Sequence, residues 1–289
     1  MPTQAQARSH YARQKGIALR AVQAVRAALR VRRDAQAVAH VTAAYQLASA
    51  KASADTMAEW AGVPNTVRPT AFAGWTAAGF PLTDPLDAIL ARINAEIGTR
   101  AAEMLHEIDR LVASEVADAG RAASQAAIVA EPLWTNYVRM LNPPSCSRCA
   151  ILAGRIYRDL DAFQRHPLCD CVMVPVTDWQ DAHDNGLISS PREMFERDEI
   201  RGLSQADAQA ITDGADIAQV VNAAQGMTTA DLFNRRGVKV TLAGTTKRSA
   251  WRKANPNRPA RLRPEAIYAI ARDRDDAIRL LRLYGYLTS

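Results

Sequence analysis

The chain has 289 residues with 36 Lys+Arg against 30 Asp+Glu, a formal net charge of +6, and 48% apolar residues. This composition excludes full disorder, and four cysteines with 14 Gly and 14 Pro exclude a disulfide-stapled miniprotein and a collagen-like chain. No apolar run approaches the roughly 18–20 residues of a membrane span, and Arg8, Arg13 and Lys15 interrupt any signal-peptide core. We therefore expect a cytoplasmic protein whose thiols are free or metal-bound.

The charge is divided unevenly along the sequence. Residues 1–33 carry eight basic side chains and no acid, and residues 235–263 carry ten basic side chains and no acid. Residues 34–234 hold 14 basic and 26 acidic groups, a net of −12. The pattern predicts an acidic body with two basic arms, which suit a polyanion such as nucleic acid or an acidic protein surface. Ordinary solvated faces explain the same pattern equally well.

The first half of the chain predicts long helices. Apolar periodicity predicts a helix over 5–33 and a second over 34–53 with Asp34 as its N-cap. Pro and Gly predict a loop over 63–85, and helical periodicity returns over 86–97 and 99–119. Gly120 is expected to kink the last helix or to separate it from a helical stretch ending near Ala130.

The second half predicts a mixed segment followed by helices. Residues 133–140 are β-prone and open a compact mixed region that runs to Trp179. Helices are predicted from Ser204, a capping-box start, and over 216–224. Residues 238–242 predict a short β piece before a mobile loop, and Pro264 opens a final helical pair. The predicted fold is mainly α, with long N-terminal helices, a small mixed α/β Cys/His segment and C-terminal helices. The predicted domains are 1–130 (Ala-rich helical), 131–234 (mixed α/β), 235–263 (basic loop or arm) and 264–289 (C-terminal helical).

All four cysteines lie within 26 residues, which is the most specific signal in the sequence. Cys146 and Cys149 form a C-x2-C pair, and the second group of candidates is His166, Cys169 and Cys171. Zinc takes four thiolate or imidazole ligands in a tetrahedron, and C-x2-C supplies two of them from one turn. Either both later cysteines ligate, as an extended backbone allows, or His166 and one cysteine complete the site. A closed site of four protein ligands predicts structural zinc, and buried thiols or disulfides explain this spacing less well.

The residues around these cysteines resemble a known family. Tyr137–Tyr157 includes C-x2-C and Gly154, and His166-Pro-Leu-Cys169-Asp-Cys171 follows. This pattern resembles the MuF-like head-morphogenesis (minor capsid) proteins of tailed bacteriophages, in particular their actinobacteriophage branch. Members of that branch are labelled either minor capsid protein or capsid maturation protease. Asp170 stands where relatives often have a basic residue, which leaves the metal hypothesis intact.

The protease label requires a catalytic set, and the sequence demonstrates none. G-x-S-x-G and P-loop motifs are absent, and His106-Glu107 fails H-E-x-x-H because residue 110 is arginine. His10 and His40 are most simply surface residues of helices. His183, between Asp181 and Asp184, is the best free candidate for a catalytic base, although such segments are usually turns. A cysteine nucleophile paired with His166 is conceivable, but metal-like spacing explains those residues with fewer assumptions.

Three functional hypotheses follow. The first, implied by the resemblance, is a minor capsid protein of the virion interior that acts in procapsid assembly with portal, scaffold and major capsid proteins, without a membrane. The second is a capsid maturation protease that cleaves scaffold or head protein, and the third is a zinc-dependent nucleic-acid-binding module. DNA or another polyanion is expected to contact the second basic arm through Arg235, Arg236, Lys239, Lys247, Arg248, Arg252, Lys253, Arg258, Arg261 and Arg263.

Overall fold

The computed structural model describes residues 1–95, 100–163, 165–232, 235–246, 250–257 and 260–287, with the side chains of 100–104, 235 and 250 left aside. The described chain is mainly helical with short strands, which confirms the predicted fold class. It divides into two compact units. Unit 1 contains residues 1–142 and 153–189, and unit 2 contains residues 143–152 and 190–289.

Unit 1 begins with four helices and continues into a small sheet. The helices are α1 (Gln4–Val31), α2 (Ala35–Ala61), α3 (Thr83–Ala95) and α4 (Arg100–Ala130), with a short 3-10 turn at Pro69–Phe72. Asp34 caps α2 as predicted, because its side chain accepts a hydrogen bond from the amide of Gln36 at 3.1 Å. The loop expected over 63–85 contains the 3-10 turn and the start of α3. The end of the predicted helix 86–97 lies outside the described residues.

The helical core of unit 1 is apolar at one end and polar at its centre. Ile17, Val25 and Leu86 belong to a buried cluster shared by the four helices. At the centre, Gln14 of α1 donates to the carbonyl of Ser49 at 3.2 Å and to the hydroxyl of Ser53 at 2.9 Å, both on α2. These hydrogen bonds satisfy polar groups that would otherwise be costly to bury.

A three-stranded antiparallel sheet completes unit 1. Its strands are β1 (Asn136–Leu141), β3 (Ile156–Arg158) and β4 (Cys171–Val176), in the order β3-β1-β4. The β-prone prediction for residues 133–140 is therefore confirmed for β1. Every residue of β4 is buried, and Val138, Val172 and Val174 pack with residues of α1. Helix α6 (Trp179–Asp184) follows β4.

Unit 2 contains a second small sheet surrounded by short helices. Its strands are β2 (Ser145–Cys146), β5 (Ile200–Arg201), β6 (Met227–Leu232), β7 (Arg235–Thr241) and β8 (Arg261–Leu262), and its helices are α5 (Ser147–Ala150), α7 (Pro191–Glu196), α8 (Gln205–Thr212), α9 (Ile217–Gln225), α10 (Ala250–Ala254), α11 (Pro264–Ile270) and α12 (Arg274–Leu283). Strands β6, β7 and β8 form an antiparallel sheet, and β2 pairs in parallel with β5.

The core of unit 2 is built by α8, α9, α11, α12 and strands β7 and β8 around residues such as Ile211, Val220 and Leu281. The predicted capping box at Ser204 is present, with the Asp207 amide donating to the serine hydroxyl at 3.1 Å. The predicted helical pair after Pro264 is confirmed as α11 and α12. The β piece predicted over 238–242 is present within β7, and the described part of the segment after it contains α10 and β8 where a loop was expected.

Candidate metal centre

The C-x2-C pair forms a tight turn within unit 2. Strand β2 ends at Cys146, which caps α5, and the Cys146 Sγ accepts a hydrogen bond from the Cys149 amide at 3.4 Å. Cys149 is buried, while Cys146 is partly exposed. An amide hydrogen bond to sulfur favours the thiolate form, which is the form that binds metals. This turn therefore has the donor chemistry of half a zinc site.

The second group of donors lies in unit 1, in the segment that leads into β4. His166 Nδ1 lies 2.8 Å from the carbonyl oxygen of Pro167, so Nδ1 carries the proton and Nε2 carries the lone pair. Leu168 has a left-handed backbone (φ 59°), which turns the chain between His166 and Cys169. Cys169 and Cys171 are both buried.

Cys169 and Cys171 are joined as a disulfide, which differs from the expectation of free or metal-bound thiols. The physical reason is the extended backbone that joins the two cysteines. Residues two apart on an extended chain point to the same face, and the Cα atoms of this pair lie 5.7 Å apart. The same geometry that lets both sulfurs reach one metal also brings them within bonding reach of each other. Both cannot be disulfide-bonded and ligate zinc as thiolates at the same time.

Two arginines outside the predicted set of donors form hydrogen bonds with this segment. Arg139, buried on β1, donates from Nη1 to the Cys171 Sγ at 3.1 Å and lies over the Phe163 ring, 4.1 Å from its centroid. Arg121 of α4 donates to the carbonyl of Cys169 at 2.9 Å and to that of Cys171 at 3.4 Å. If Cys171 were reduced, the positive charge of this guanidinium would stabilise its thiolate. The signal in the sequence that could have pointed to Arg139 is the position of an arginine within a β-prone apolar run.

The donor chemistry of this part of the chain fits zinc or a similar soft metal. The five residues that the sequence predicts as donors are Cys146 and Cys149, in unit 2, and His166, Cys169 and Cys171, in unit 1, and each could supply a ligand to a metal ion. Thiolate and imidazole are the ligands of structural zinc sites, and five donors exceed by one the four that a tetrahedral ion takes.

His183, the candidate catalytic base, is an exposed residue of α6. Its Nδ1 lies 3.3 Å from Asp184 Oδ1, and its ring stacks on Trp179 with centroids 4.9 Å apart. No serine hydroxyl is among these described contacts. His40 and His106 are exposed, as expected for solvated helix faces. The expectation for His10 is wrong: it is buried against Trp60, because α1 turns this position inward.

The basic residues predicted to contact a polyanion have unlike surroundings. Arg261 and Arg263 are buried in unit 2, where they form hydrogen bonds and an ion pair with other residues of that unit. The Arg261 Nε donates to the Tyr284 carbonyl at 2.8 Å, and Arg263 Nη2 lies 3.1 Å from Asp207 Oδ2. Lys239 lies 3.7 Å from Glu265. Arg236 and Lys253 are exposed, and Arg252 is half-buried. Lys247, Arg248, Arg258 and the Arg235 side chain lie outside the described residues.

A cleft of about 340 Å³ in unit 1 contains charged residues that belong to no recognisable sequence motif. Glu115 and Asp118, one helical turn apart on α4, line it with Arg121 and Arg165. Burial raises the pKa of Glu115, although its carboxylate accepts the Ala77 amide at 2.7 Å. Burial also raises the pKa of Asp118, against the opposing effect of its ion pairs with Arg121 and Arg165. Because these groups pair with one another and with the backbone, their evident role is to fix the loop over α4.

The fold and the cysteine cluster define a mainly helical protein with a metal-competent Cys/His segment in the middle of the chain. The chain belongs to the VG15 protein family, whose model matches residues 1–197. This match indicates a phage virion-associated protein. No curated protein and no solved structure matches the chain. Within the described residues, no helix is both long and apolar enough to span a membrane.

Proposed function

We propose that this protein is a MuF-like minor capsid protein that acts in head morphogenesis, at the portal or the inner shell of the procapsid. The observation that carries the proposal is the VG15 family match over residues 1–197, which includes the whole C-x2-C … H-P-x-C-x-C segment. The partners under this proposal are the portal, scaffold and major capsid proteins, with DNA as a further contact of the basic residues. The protein then works in the host cytoplasm during assembly and remains inside the capsid.

The proposal includes one structural zinc ion held by four of the five donors Cys146, Cys149, His166, Cys169 and Cys171. Zinc bound by four protein ligands stabilises a fold and leaves no open position for catalysis. The amide bond to the Cys146 sulfur and the guanidinium at the Cys171 sulfur support thiolates at both positions. Under this proposal Cys169 and Cys171 are reduced in the host, and either both bind the metal or one of them binds it together with His166.

The zinc proposal is tested by metal analysis of full-length protein purified with a reductant. We expect about one zinc per chain in the wild type, and a loss of most of it in Cys146→Ser. Ser147→Ala, which alters the neighbouring residue without removing a donor, should keep the metal. Wild-type protein that is folded and metal-free would refute the site.

Thiol titration distinguishes the zinc site from the disulfide. In denaturant with a chelator and without reductant, we expect four reactive thiols per chain if all cysteines are reduced. Two thiols would show that the Cys169–Cys171 disulfide persists in the purified protein, and zinc ligation by both would then be excluded.

The assembly role is tested in phage that carry single substitutions. We expect Cys146→Ser to block formation of normal heads, and His183→Ala to leave assembly and the masses of the head proteins unchanged. Unprocessed scaffold or head protein in the His183→Ala phage alone would favour the alternative, a capsid maturation protease. The exposed position of His183 and its contacts with Asp184 and Trp179 give that alternative no catalytic set among the described residues.

A further inference from the structure

The solvent face of α1 carries a row of basic side chains. Arg8, Lys15, Arg26 and Arg30 are spaced by 7, 11 and 4 residues, and all four are exposed. At 100° per residue they fall within about 60° of the helix circumference and extend over roughly 33 Å. On the same helix, the core residues Ile17 and Ala21 lie at least about 120° from every member of the row, and Val25 lies at least about 80° away. The row therefore faces away from the helical core of unit 1.

The row ends in a groove between α1 and α4. The groove has a volume of about 420 Å³ and is lined by Arg26, Leu29, Arg30, Arg33, Leu105, His106 and Asp109. Its floor is apolar and its rim is cationic. With three arginines against one aspartate, the rim has an excess of two positive charges before any protonation of His106.

One arginine of the rim is fixed and two are available. Asp109 holds Arg26, whose Nε lies 3.1 Å from both carboxylate oxygens, while the arginine side chain remains 53% exposed. Among the described residues, no carboxylate forms an ion pair with Arg30 or Arg33, and both are exposed. Two guanidiniums with free hydrogen-bond donors at the mouth of a groove suit the oxygens of a phosphate group, which they bind in bidentate fashion.

We infer that this face of α1 and its terminal groove bind the phosphate backbone of double-stranded DNA. The length of the row favours DNA over a short acidic peptide, because roughly 33 Å is close to one turn of B-DNA, about 34 Å. Residues 1–33 contain no acid, so α1 itself presents no carboxylate to a long polyanion, and Asp109 of the groove is paired with Arg26. Binding of this kind is independent of base sequence and weakens steeply with salt. The inference rests on the proposed head-assembly function only for the availability of packaged DNA as the ligand.

The test is fluorescence anisotropy of a labelled 30-base-pair duplex titrated with the full-length protein between 50 and 200 mM NaCl. We expect Arg30→Gln/Arg33→Gln to weaken binding roughly three- to tenfold at 100 mM salt, and to reduce the slope of log K against log salt by about 2. The matched control is Arg13→Gln/Arg20→Gln, which removes the same charge from exposed positions of α1 outside the row and the groove. The control should change the affinity less than twofold.

Four outcomes would overturn the inference. Equal weakening in both double variants would show a general charge effect without a defined face. If Arg30→Gln/Arg33→Gln lowered the melting temperature but left the DNA affinity unchanged, these arginines would stabilise the carboxyl end of α1 and would not bind DNA. Tighter binding of a polyglutamate peptide than of the duplex would identify an acidic protein as the ligand. A wild-type protein that assembles normal heads but does not bind the duplex even at 50 mM NaCl would refute this inference and leave the assembly role standing.

Discussion

His10 is buried on α1, where its ring meets the edge of Trp60 with the centroids 5.6 Å apart. Among the described residues, its Nδ1 has no hydrogen-bond partner. Burial, with a smaller contribution from the nearby Arg13 charge, lowers the pKa of His10 to about 4. The folded protein therefore holds the neutral imidazole, whereas the unfolded chain takes up a proton near pH 6.5.

This difference in the pKa of His10 between the folded and unfolded states predicts that acid lowers the stability of the protein. The folded state is not penalised by His10 above pH 6.5. As the pH falls from 6.5 toward 4, the free energy of unfolding decreases, because His10 binds a proton in the unfolded chain but not in the folded protein. Between pH 7 and pH 5 we expect His10 to lower the free energy of unfolding by about 2 kcal/mol.

Urea unfolding at the two pH values tests this expectation. His10→Phe should lose about that part of the pH dependence, and His40→Gln, at an exposed position, should keep it. Identical pH dependence in wild type and His10→Phe would contradict the assignment.

Arg263 is the centre of a buried charged group in unit 2. Its Nη2 lies 3.1 Å from Asp207 Oδ2 and 3.4 Å from Glu265 Oε1, and little of the arginine or aspartate side chain is exposed. Removing the cation leaves the Asp207 carboxylate desolvated without its ion partner, and leaves Glu265 with Lys239 at 3.7 Å. Breaking a buried pair from one side typically costs several kcal/mol.

We expect Arg263→Met to reduce the free energy of unfolding by about 3–5 kcal/mol. Arg236→Met, at an exposed position of β7, should change it by less than about 0.5 kcal/mol. Urea unfolding of both variants gives the comparison. A loss of under about 1 kcal/mol in Arg263→Met would show that the group is solvated and of little weight.

At the level of the elements, Gly120 explains how three helices approach each other closely. Helix α4 runs unbroken from Arg100 to Ala130, so Gly120 does not separate two helices. A Cβ at this position would lie 2.5 Å from Gln14 Oε1 on α1 and 2.6 Å from Ser49 Oγ on α2. Glycine is therefore required by packing against the polar centre of the helical core.

Gly120→Ala should destabilise the protein by about 1–3 kcal/mol, because the added methyl group displaces the Gln14 and Ser49 side chains. Gly16→Ala is the matched control on α1, where a Cβ meets only the flexible end of Arg20 at 3.3 Å. The control should be neutral or stabilising by up to about 1 kcal/mol, as helix propensity predicts. Thermal unfolding of the two variants measures the difference, and equal effects would contradict the packing role.

Structural features could be predicted from the sequence where the residues that cause them lie close together along the chain. They could not be predicted where they depend on residues far away in the sequence. Asp34 and Ser204 were predictable because a capping residue acts on amides two or three positions away. The burial of His10 and the need for Gly120 were not, since both depend on side chains of α2. The five metal donors came from spacing alone, whereas Arg121 and Arg139 reach the cysteine segment from 32 or more residues away.

At the level of the whole molecule, the two units use alternating pieces of the chain. Residues 143–152 belong to unit 2, although unit 1 supplies the chain on both sides of them. Within unit 2, the Ser145 amide donates to the Glu199 carbonyl at 2.9 Å, and Ile151 packs against the apolar core. The family match ends at residue 197, so it includes this segment without the strand that pairs with it.

A chain ending at residue 197 should therefore lose protection in one segment. Without β5, we expect the amides of 143–152 to exchange with deuterium at least about tenfold faster than in the full chain. Amides of β1, which pairs with β3 and β4 inside unit 1, should change little and serve as the internal control. Unchanged exchange in 143–152 would show that β5 does not hold this segment.

Because of the alternating arrangement, residues 143–152 are synthesised before the part of unit 2 that receives them. A ribosome releases residues 143–152 well before residues 200–289, which contain the strand and core that receive them. At about 5–20 residues per second, completing the last 100 or so residues takes roughly 5–20 s. During that interval Cys146 and Cys149 belong to a nascent chain whose second unit does not yet exist, so metal or oxidant reaches those thiols before the finished fold encloses Cys149.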